Sequence, residues 1–177
     1  MEKIRVRFAP SPTGLLHIGG VRTAFINYLL AKKENGALVL RIEDTDKVRS
    51  TEESKNAIIS GLKWLNINWD EGPYLQSERS ELYINYLNYL IKKEAVYPCF
   101  CKKEEIDIEK EIAKKRGKPY KYSQRCKYLS DKERIDKISK GEEFVYRFNV
   151  EPGLVRFNDL IKGEIIFENN ILDDFII

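Results

Sequence analysis

The feature that most constrains the fold is a Pro- and Gly-rich segment, residues 7–20, which holds the only histidine of the chain. It follows a short apolar run, residues 4–8, and precedes a run whose apolar residues recur at helical spacing: Val21, Ala24, Phe25, Tyr28 and Leu29. Two prolines and Gly14 cannot continue a strand, so the segment predicts a strand, a tight turn and a helix. Gly19 and Gly20 open that helix and leave backbone N–H groups available to an anion such as phosphate.

A second strand is predicted directly after this helix. Asn35-Gly36 is a typical helix stop, residues 37–42 form an apolar run, and residues 43–46 are the acidic sequence Glu-Asp-Thr-Asp. Strand, helix and strand in quick succession indicate a βαβ unit with parallel neighbouring strands. Ligands of such sheets bind beyond the carboxyl ends of the strands, where both the turn and the acidic sequence lie. This coincidence favours a functional site over a chance turn.

The next part of the chain is predicted to be helical with one polar loop. Ser50-x-x-Glu53 has the pattern of a capping box that opens a helix, and residues 68–76 are expected to form a loop around Gly72-Pro73. Another helix is expected to start near Ser77 and to bury a face made of Leu82, Tyr83, Tyr86, Leu87 and Leu90.

The pattern changes near residue 97. A strand over residues 97–101 and a charged helix over 103–116 are followed by short predicted strands at 144–150, 154–157, 164–168 and 173–177. We therefore predict two domains: residues 1–96 form a parallel α/β unit, and residues 97–177 form a mixed, more antiparallel unit.

Composition excludes some classes of protein. No apolar run approaches the roughly 20 residues that span a bilayer, and the N-terminus lacks the long apolar segment of a signal peptide, so a cytoplasmic protein is expected. Three cysteines argue against a disulfide framework, and their clustering raises the question of a metal site. The sequence stops inside an apolar run, which leads us to expect a piece of a longer protein.

Three sequence blocks together resemble the bacterial glutamyl-tRNA synthetases, a family of class I aminoacyl-tRNA synthetases. They are Arg-x-Ala-Pro-Ser-Pro-Thr-Gly-x-x-His-Ile-Gly-Gly (7–20), Arg-Ile-Glu-Asp-Thr-Asp (41–46) and Gln-Ser-Glu-Arg (76–79). The fourth position of the class signature is often histidine. Here it is Gly20, as in the bacterial glutamyl branch. The resemblance implies an α/β protein, namely the first half of a Rossmann-type parallel nucleotide-binding fold followed by an inserted α+β acceptor-binding domain.

The same resemblance implies a reaction and a set of site residues. Glutamate and ATP with Mg²⁺ would give glutamyl-adenylate, and glutamate would then pass to the 3′ end of tRNA(Glu). His17 is the candidate catalytic residue, because it can stabilise charge that develops on the phosphates. Arg7 suits the side-chain carboxylate of glutamate, and Glu43 suits its ammonium group. The implied ATP-binding residues are Pro12, Thr13, His17, Gly19 and Gly20, and the implied glutamate-binding residues are Arg7, Ala9, Ser11 and Glu43.

Cys99, Cys101 and Cys126 resemble the structural zinc site that some members carry in the acceptor-binding insertion. Tetrahedral zinc takes four ligands, and only three cysteines are present. Tyr122 lies in a Tyr-x-x-x-Cys arrangement that one related subfamily uses, whereas Tyr128 stands where some relatives place a histidine. Water is another candidate for the fourth ligand. The alternative to a zinc site is that the cysteines are ordinary buried residues.

Partners follow from the resemblance as well. Lysine and arginine outnumber acidic residues over 102–140, which fits contact with the tRNA acceptor end. A monomer without membrane contact is expected, and the 177-residue chain alone is expected to be inactive because the family's second ATP loop is absent from it. Two alternatives stay open: the paralogue that glutamylates a modified base in tRNA(Asp), and a non-catalytic nucleotide- or RNA-binding module. The long stretch between Cys101 and Cys126 favours the synthetase over the paralogue.

Overall fold

The computed structural model describes residues 3–177. The chain forms two compact units, the first ending at Ile84 and the second comprising Asn85–Ile177. The domain boundary predicted at residue 96 stays a prediction. None of the helices in the described residues is long and apolar enough to cross a membrane.

The first unit is a three-stranded parallel sheet with helices. Its elements are β1 (Arg5–Phe8), α1 (Ile18–Lys33), β2 (Ala37–Ile42), α2 (Glu52–Trp64) and β3 (Glu71–Leu75). A 3₁₀ turn (Ser77–Arg79) then leads into α3 (Ser80–Lys92), which begins in this unit and continues past its last residue, Ile84. The strand order is β1-β2-β3, and β1 pairs with β2 in parallel. The predicted βαβ unit is confirmed.

An apolar core holds this unit together. Side chains alternate along β1 and β2, so that one face of the sheet carries large apolar groups against the helices. Gly36 makes the tight helix-to-strand turn possible, because a Cβ there would collide with the carbonyl oxygen of Ile4. The buried core residues are Phe8, Ala24, Ala31, Leu38, Leu40, Ile42, Ile58, Leu62 and Ile67.

Two predictions for this unit are wrong because local signals misled them. The expected loop at 68–76 contains β3, which pairs with β2 in parallel. Pro73 suggested a turn, yet β3 is an edge strand, where a residue without an N–H donor is tolerated. Helix α2 is capped by Thr51, whose side chain accepts from the Ser54 N–H, so the predicted capping box at Ser50 does not form.

The predicted buried face of α3 is also not buried. Leu82 and Tyr83 are each 38% exposed and Tyr86 is 63% exposed. Helical spacing correctly predicts a helix here. Burial needs a packing partner as well, and the described residues cover this face only in part: Leu87 and Leu90 are half-buried.

The second unit contains β4 (Val96–Cys99), α4 (Lys103–Lys115), α5 (Asp131–Ser139), β5 (Val145–Phe148), β6 (Leu154–Asp159), β7 (Gly163–Glu168) and a 3₁₀ turn (Asn169–Ile171). Two antiparallel pairs form, β4 with β5 and β6 with β7. The strand expected at 173–177 is wrong, since only an isolated bridge between Arg147 and Ile176 is present there. Helix α5 was missed although Ser130 and Glu133 form a reciprocal capping box at its start.

Candidate functional site

The Pro/Gly segment and the acidic sequence meet at the carboxyl end of the parallel sheet. In the β1–β2 register Phe8 lies beside Leu40, so both strands end at the same edge. The Glu43 N–H donates to the Pro10 carbonyl at 2.9 Å, which fixes the two segments to each other. The Glu43 carboxylate lies 3.3 Å from the guanidinium of Arg41.

His17 is the N-cap residue of α1 and uses one ring nitrogen to hold itself there. Its Nδ1 accepts from the Gly19 N–H at 3.2 Å, so in the neutral ring Nε2 carries the proton and is a donor. The ring is exposed. A Cβ at Gly19 would lie 2.9 Å from His17 Cε1, so the glycine leaves room for this ring position.

Arg7 lies on the sheet face opposite the apolar core. It lines a groove of about 340 Å³ together with Arg5, Arg41, Tyr74 and Arg79. Arg5 is held by Glu71 through two hydrogen bonds of 2.7 and 2.5 Å, and Arg79 stacks at 4.9 Å over the ring of Tyr74. Arg7 has no carboxylate partner within residues 3–177, so its guanidinium is available to a ligand.

The remaining predicted residues of this region lie around the turn. Ser11, Thr13, His17 and Gly20 line a second cavity of about 440 Å³. Pro12 is fully buried, and its carbonyl accepts from the Thr51 N–H at 3.4 Å. Ala9 is half-buried just after β1. Arg7 therefore belongs to one cavity, and the residues of the turn belong to another.

Asp44 connects the second and third sequence blocks. Its two carboxylate oxygens accept from the Ser77 N–H at 2.9 Å and from the Ser77 hydroxyl at 2.6 Å. Partial burial works against ionisation of Asp44, but the hydrogen bonds from Ser77 outweigh it and hold the carboxyl pKa below its usual value. The spacing of the two blocks in the sequence gave no indication of this contact.

The three cysteines come together in the second unit, as the sequence led us to expect. Their sulfur atoms all lie within 4.8 Å of one another, and the Cys101 and Cys126 sulfurs are 3.6 Å apart. The hydroxyl of Tyr122 lies 3.2 Å from the sulfurs of both Cys99 and Cys101, and this tyrosine is 2% exposed. Tyr128 is 75% exposed and forms no hydrogen bond to the cluster.

This donor set fits a zinc ion. Zinc–sulfur bonds of about 2.3 Å in a tetrahedron place two sulfurs about 3.8 Å apart, close to the Cys101–Cys126 separation. Tyr122 offers an oxygen beside two of the three sulfurs. The cluster thus contains four side-chain donors within reach of one centre.

The thiols of the cluster differ in their electrostatic surroundings. Burial raises the pKa of Cys101 to about 11, although hydrogen bonds from Tyr122 and Arg125 oppose that rise. For Cys99, burial is outweighed by hydrogen bonds from Tyr122 and Arg147, and its pKa is lowered. Burial among these sulfurs raises the pKa of Tyr122 far above its usual value.

Two residues beside the cluster were missed in the sequence. Arg147 is 7% exposed and stacks at 3.8 Å on the ring of Tyr122. Asp174 is 1% exposed and accepts hydrogen bonds from Tyr97, Gln124 and the Val150 N–H. Both lie far along the chain from the cysteines, and no local pattern connects them to the cluster.

The model of the family of class I tRNA synthetases (E and Q), catalytic domain, matches residues 3–177. The chain belongs to this family. It is 50% identical to glutamate–tRNA ligase 2 of Caldicellulosiruptor saccharolyticus over 183 aligned residues, covering 98% of this chain and 38% of that protein. It is 49% identical to glutamate–tRNA ligase of Aquifex aeolicus over 178 residues, covering 100% of this chain and 37% of that protein.

Solved structures of class I tRNA synthetases agree with the fold. The crystal structure of glutamate-tRNA synthetase from Elizabethkingia anophelis superposes with a TM-score of 0.89 at 36% identity, over 99% of this chain and 39% of that one. A glutamate tRNA ligase from Elizabethkingia meningosepticum, in complex with its amino acid, gives 0.88 at 36% identity. The chain thus spans a little over a third of the length of the relatives it matches, and the predicted class I α/β fold is confirmed.

Proposed function

We propose that this chain provides the ATP loop and the amino-acid-binding residues of an enzyme that activates glutamate with ATP and transfers it to tRNA(Glu). The observation that carries the proposal is the contact between Glu43 and Pro10 at the carboxyl end of β1 and β2. It places a carboxylate next to the turn that opens α1, the position at which parallel sheets bind their ligands.

The start of α1 is assigned to ATP. The helix N-terminus carries partial positive charge, and the Nε2 proton of His17 points to a donor role toward phosphate oxygens. Thr13, Gly19 and Gly20 accompany it, and Pro12 holds the turn against the N-terminus of α2. Mg²⁺ enters with ATP as part of the substrate. Catalysis of this kind is electrostatic, since charge builds up on the phosphates as pyrophosphate leaves.

The face and end of the sheet are assigned to glutamate. Arg7 has a guanidinium without a carboxylate partner in the described chain, so a ligand carboxylate can form the two parallel hydrogen bonds that arginine favours. Glu43 complements the ammonium group of the substrate. Ala9, just after β1, and Ser11, in the turn, are assigned to glutamate as well, although Ser11 lines the second cavity and Arg7 the groove.

Cys99, Cys101, Cys126 and Tyr122 are assigned to a structural zinc ion. The ion would join the end of β4 to the segment 122–126 inside the buried cluster of this unit, and its binding would add to the folding free energy. The position of Tyr122 among the sulfurs favours it over Tyr128 and over water as the fourth ligand.

The acceptor end of tRNA is the proposed partner of the second unit. Residues 114–127 contain seven lysines and arginines and no carboxylate, and most of these side chains are exposed. Such a stretch suits the phosphates of an RNA helix. We also propose that the protein is a monomer and that it works in the cytoplasm, where tRNA is charged with its amino acid.

Calorimetric titration of the full chain with a non-hydrolysable glutamyl-adenylate analogue tests the amino-acid and ATP assignments. Arg7→Ala removes a charged hydrogen-bond pair, so about a 10- to 100-fold loss of affinity is expected. His17→Ala is expected to weaken binding as well. Lys33→Ala, at the opposite end of α1, is the matched control and should leave affinity unchanged.

A second ligand makes this test specific. The glutaminyl-adenylate analogue has an amide where glutamate has a carboxylate, so Arg7→Ala should cost it less affinity than it costs the glutamyl analogue. Equal losses for both analogues would remove Arg7 from the carboxylate-binding role. Unchanged binding in both Arg7→Ala and His17→Ala would overturn the site as a whole.

The metal assignment is tested by elemental analysis of the purified full chain. One zinc per chain is expected, with loss of the metal in Cys126→Ser. Tyr122→Phe is expected to weaken zinc binding, whereas Tyr128→Phe should not, because the latter hydroxyl is exposed and away from the sulfurs. The reverse order would make Tyr128 the fourth ligand.

A further inference from the structure

Arg147 is a buried cation whose counter-charge is not a carboxylate. Its side chain is 7% exposed, and it forms no ion pair with a carboxylate in the part of the chain that the structure describes. One terminal nitrogen donates to the backbone carbonyl of Asp174 at 2.6 Å, and Nε is buried without a hydrogen-bond partner. A buried charge is costly unless an anion lies next to it.

The guanidinium of Arg147 faces the cysteine cluster. It stacks at 3.8 Å on the ring of Tyr122, whose hydroxyl contacts the sulfurs of Cys99 and Cys101. The register of the β4–β5 pair explains why Arg147 lies near the cluster. Arg147 is paired with Tyr97, and Tyr97 precedes Cys99 by two residues on the same strand. The pairing of β4 with β5 therefore places the positive charge of Arg147 next to the cysteine cluster.

A second guanidinium reaches the cluster from a different segment. Arg125 Nε donates to the sulfur of Cys101 at 3.0 Å. Its terminal nitrogen is held by Glu105 of α4 at 2.8 Å, which fixes the direction of the side chain. Unlike Arg147, this side chain is 43% exposed.

The charge of a loaded zinc site explains why two cations converge here. Cysteines bind zinc as thiolates, so a divalent ion on three thiolates leaves net negative charge in a largely buried place. Two guanidiniums at its edge offset that charge and act on the ligands by hydrogen bonding and stacking. Partners in this position orient metal ligands and tune the affinity of the site.

We propose that Arg147 and Arg125 are positioning residues of the metal centre: they hold the cysteine and tyrosine ligands in place and offset the negative charge of the thiolates. This inference rests on the zinc site of the proposed function. It adds that the site is built for an anionic ligand set and loses affinity for metal when either cation is removed.

Zinc dissociation constants of the full chain, measured by competition with a chromophoric chelator, test this inference. Arg147→Met keeps the bulk and removes the charge, so affinity should fall about 10- to 100-fold. Arg125→Gln should give a smaller loss, and Arg147→Lys, which retains the charge, should fall between wild type and Arg147→Met. Arg156→Met is the control, because Arg156 is 58% exposed and makes only a 3.8 Å ion pair with Glu164.

Cobalt(II) substitution separates charge compensation from simple support of the fold. A positive charge next to a thiolate stabilises its electrons, so its removal should move the sulfur-to-cobalt charge-transfer band to longer wavelength. The exposed Arg125→Gln variant is informative even if Arg147→Met folds poorly. A role limited to packing would leave the band of the loaded variants in place.

The outcomes separate this inference from the metal assignment itself. If the wild-type chain binds no zinc, the assignment of the metal fails and the inference fails with it. If the wild-type chain binds zinc and Arg147→Met and Arg125→Gln bind it equally well, only the inference is overturned. An unshifted cobalt band together with an Arg147→Lys variant as weak as Arg147→Met also overturns it.

Discussion

The interiors of the two units of this chain consist of different types of residue. The core of the first unit is entirely apolar, with Leu40, Ile42, Ile58 and Leu62 almost fully buried. The buried cluster of the second unit consists of Tyr97, Cys99, Tyr122 and Cys126, and Arg147 and Asp174 are buried in the same unit. An apolar core needs volume and shape, whereas a polar interior needs every donor and acceptor matched.

The candidate sites differ in the same way. The Pro/Gly segment, residues 7–20, is made from backbone N–H groups, glycines and one exposed histidine at the edge of a sheet. The cysteine cluster is made from buried and half-buried side chains that come from two separate stretches of sequence, 99–101 and 122–126, and Arg147 packs on it from a third. Stability in the first unit is therefore spread over many interchangeable contacts, and stability in the second depends on a few specific polar pairs.

The largest expected effect is Leu40→Ala in the central strand of the first unit. Leu40 is 1% exposed, so the substitution leaves a cavity and should cost about 2–5 kcal/mol of local unfolding free energy. Hydrogen exchange at β2, followed by mass spectrometry, measures this cost for each unit separately. Val48→Ala, at a residue that is 92% exposed, is the control and should change it by less than about 0.5 kcal/mol.

This variant also tests whether the contrast between the units is real. Exchange in β4 and β5 should be little changed by Leu40→Ala if the apolar core serves the first unit alone. Equally faster hydrogen exchange in both units would show that they unfold together. The two interiors would then differ in composition but not in how they stabilise their units.

A smaller effect is expected from Tyr97→Phe in the second unit. The Tyr97 hydroxyl donates to the Asp174 carboxylate at 2.7 Å in a buried position, so its removal leaves a buried acceptor with one partner fewer. A loss of about 1–3 kcal/mol is expected, measured by hydrogen exchange at β4 and β5. Tyr146→Phe is the matched control, because the Tyr146 hydroxyl makes no hydrogen bond in the described structure and its loss should be nearly neutral. If Tyr97→Phe proves as harmless as its control, the polar interior contributes less than the comparison implies.

Sequence reasoning succeeded where structure depends on neighbouring residues and failed where it depends on distant ones. The strand, turn and helix of residues 4–33 and the strand at 37–42 follow from local periodicity and glycine positions, and the structure contains them. The cysteines came together as their spacing suggested. Strand β3 was missed because its pairing with β2 is a tertiary contact that outweighs the turn signal of Gly72-Pro73.

Tyr122, Arg147 and Asp174 show the same limit at the second site. Tyr122 was a candidate only through a resemblance, and its place between two sulfurs is visible only once the chain is folded. Nothing in the sequence distinguishes Arg147 from other charged strand residues. Its guanidinium lies on the Tyr122 ring because of the β4–β5 register, which is a tertiary contact. Buried polar networks join residues that are close in space but far apart in the sequence, so they leave no periodic pattern from which they could be predicted.

The smallest expected effect concerns a polar contact of the first unit, Asp44 with Ser77. Ser77→Ala removes the hydroxyl that donates to Asp44 at 2.6 Å and keeps the backbone N–H donor, so about 0.5–1 kcal/mol should be lost at neutral pH. The pKa of Asp44 is held below its usual value in the folded chain, so the stability it contributes is present above the usual pKa and is lost as pH falls through the folded value. In Ser77→Ala the pKa should rise toward its usual value, because one stabilising donor is gone.

The difference between Ser77→Ala and the wild type should consequently shrink as the solution is made acidic, since a protonated Asp44 gains less from the missing hydroxyl. Carboxyl ¹³C chemical shifts give the pKa, and hydrogen exchange near β3 gives the free energy. Ser60→Ala, an exposed helical serine, is the control and should show no pH-dependent difference. A loss in Ser77→Ala as large as that in Tyr97→Phe would contradict the comparison, because an exposed polar contact in the first unit would then matter as much as a buried one in the second.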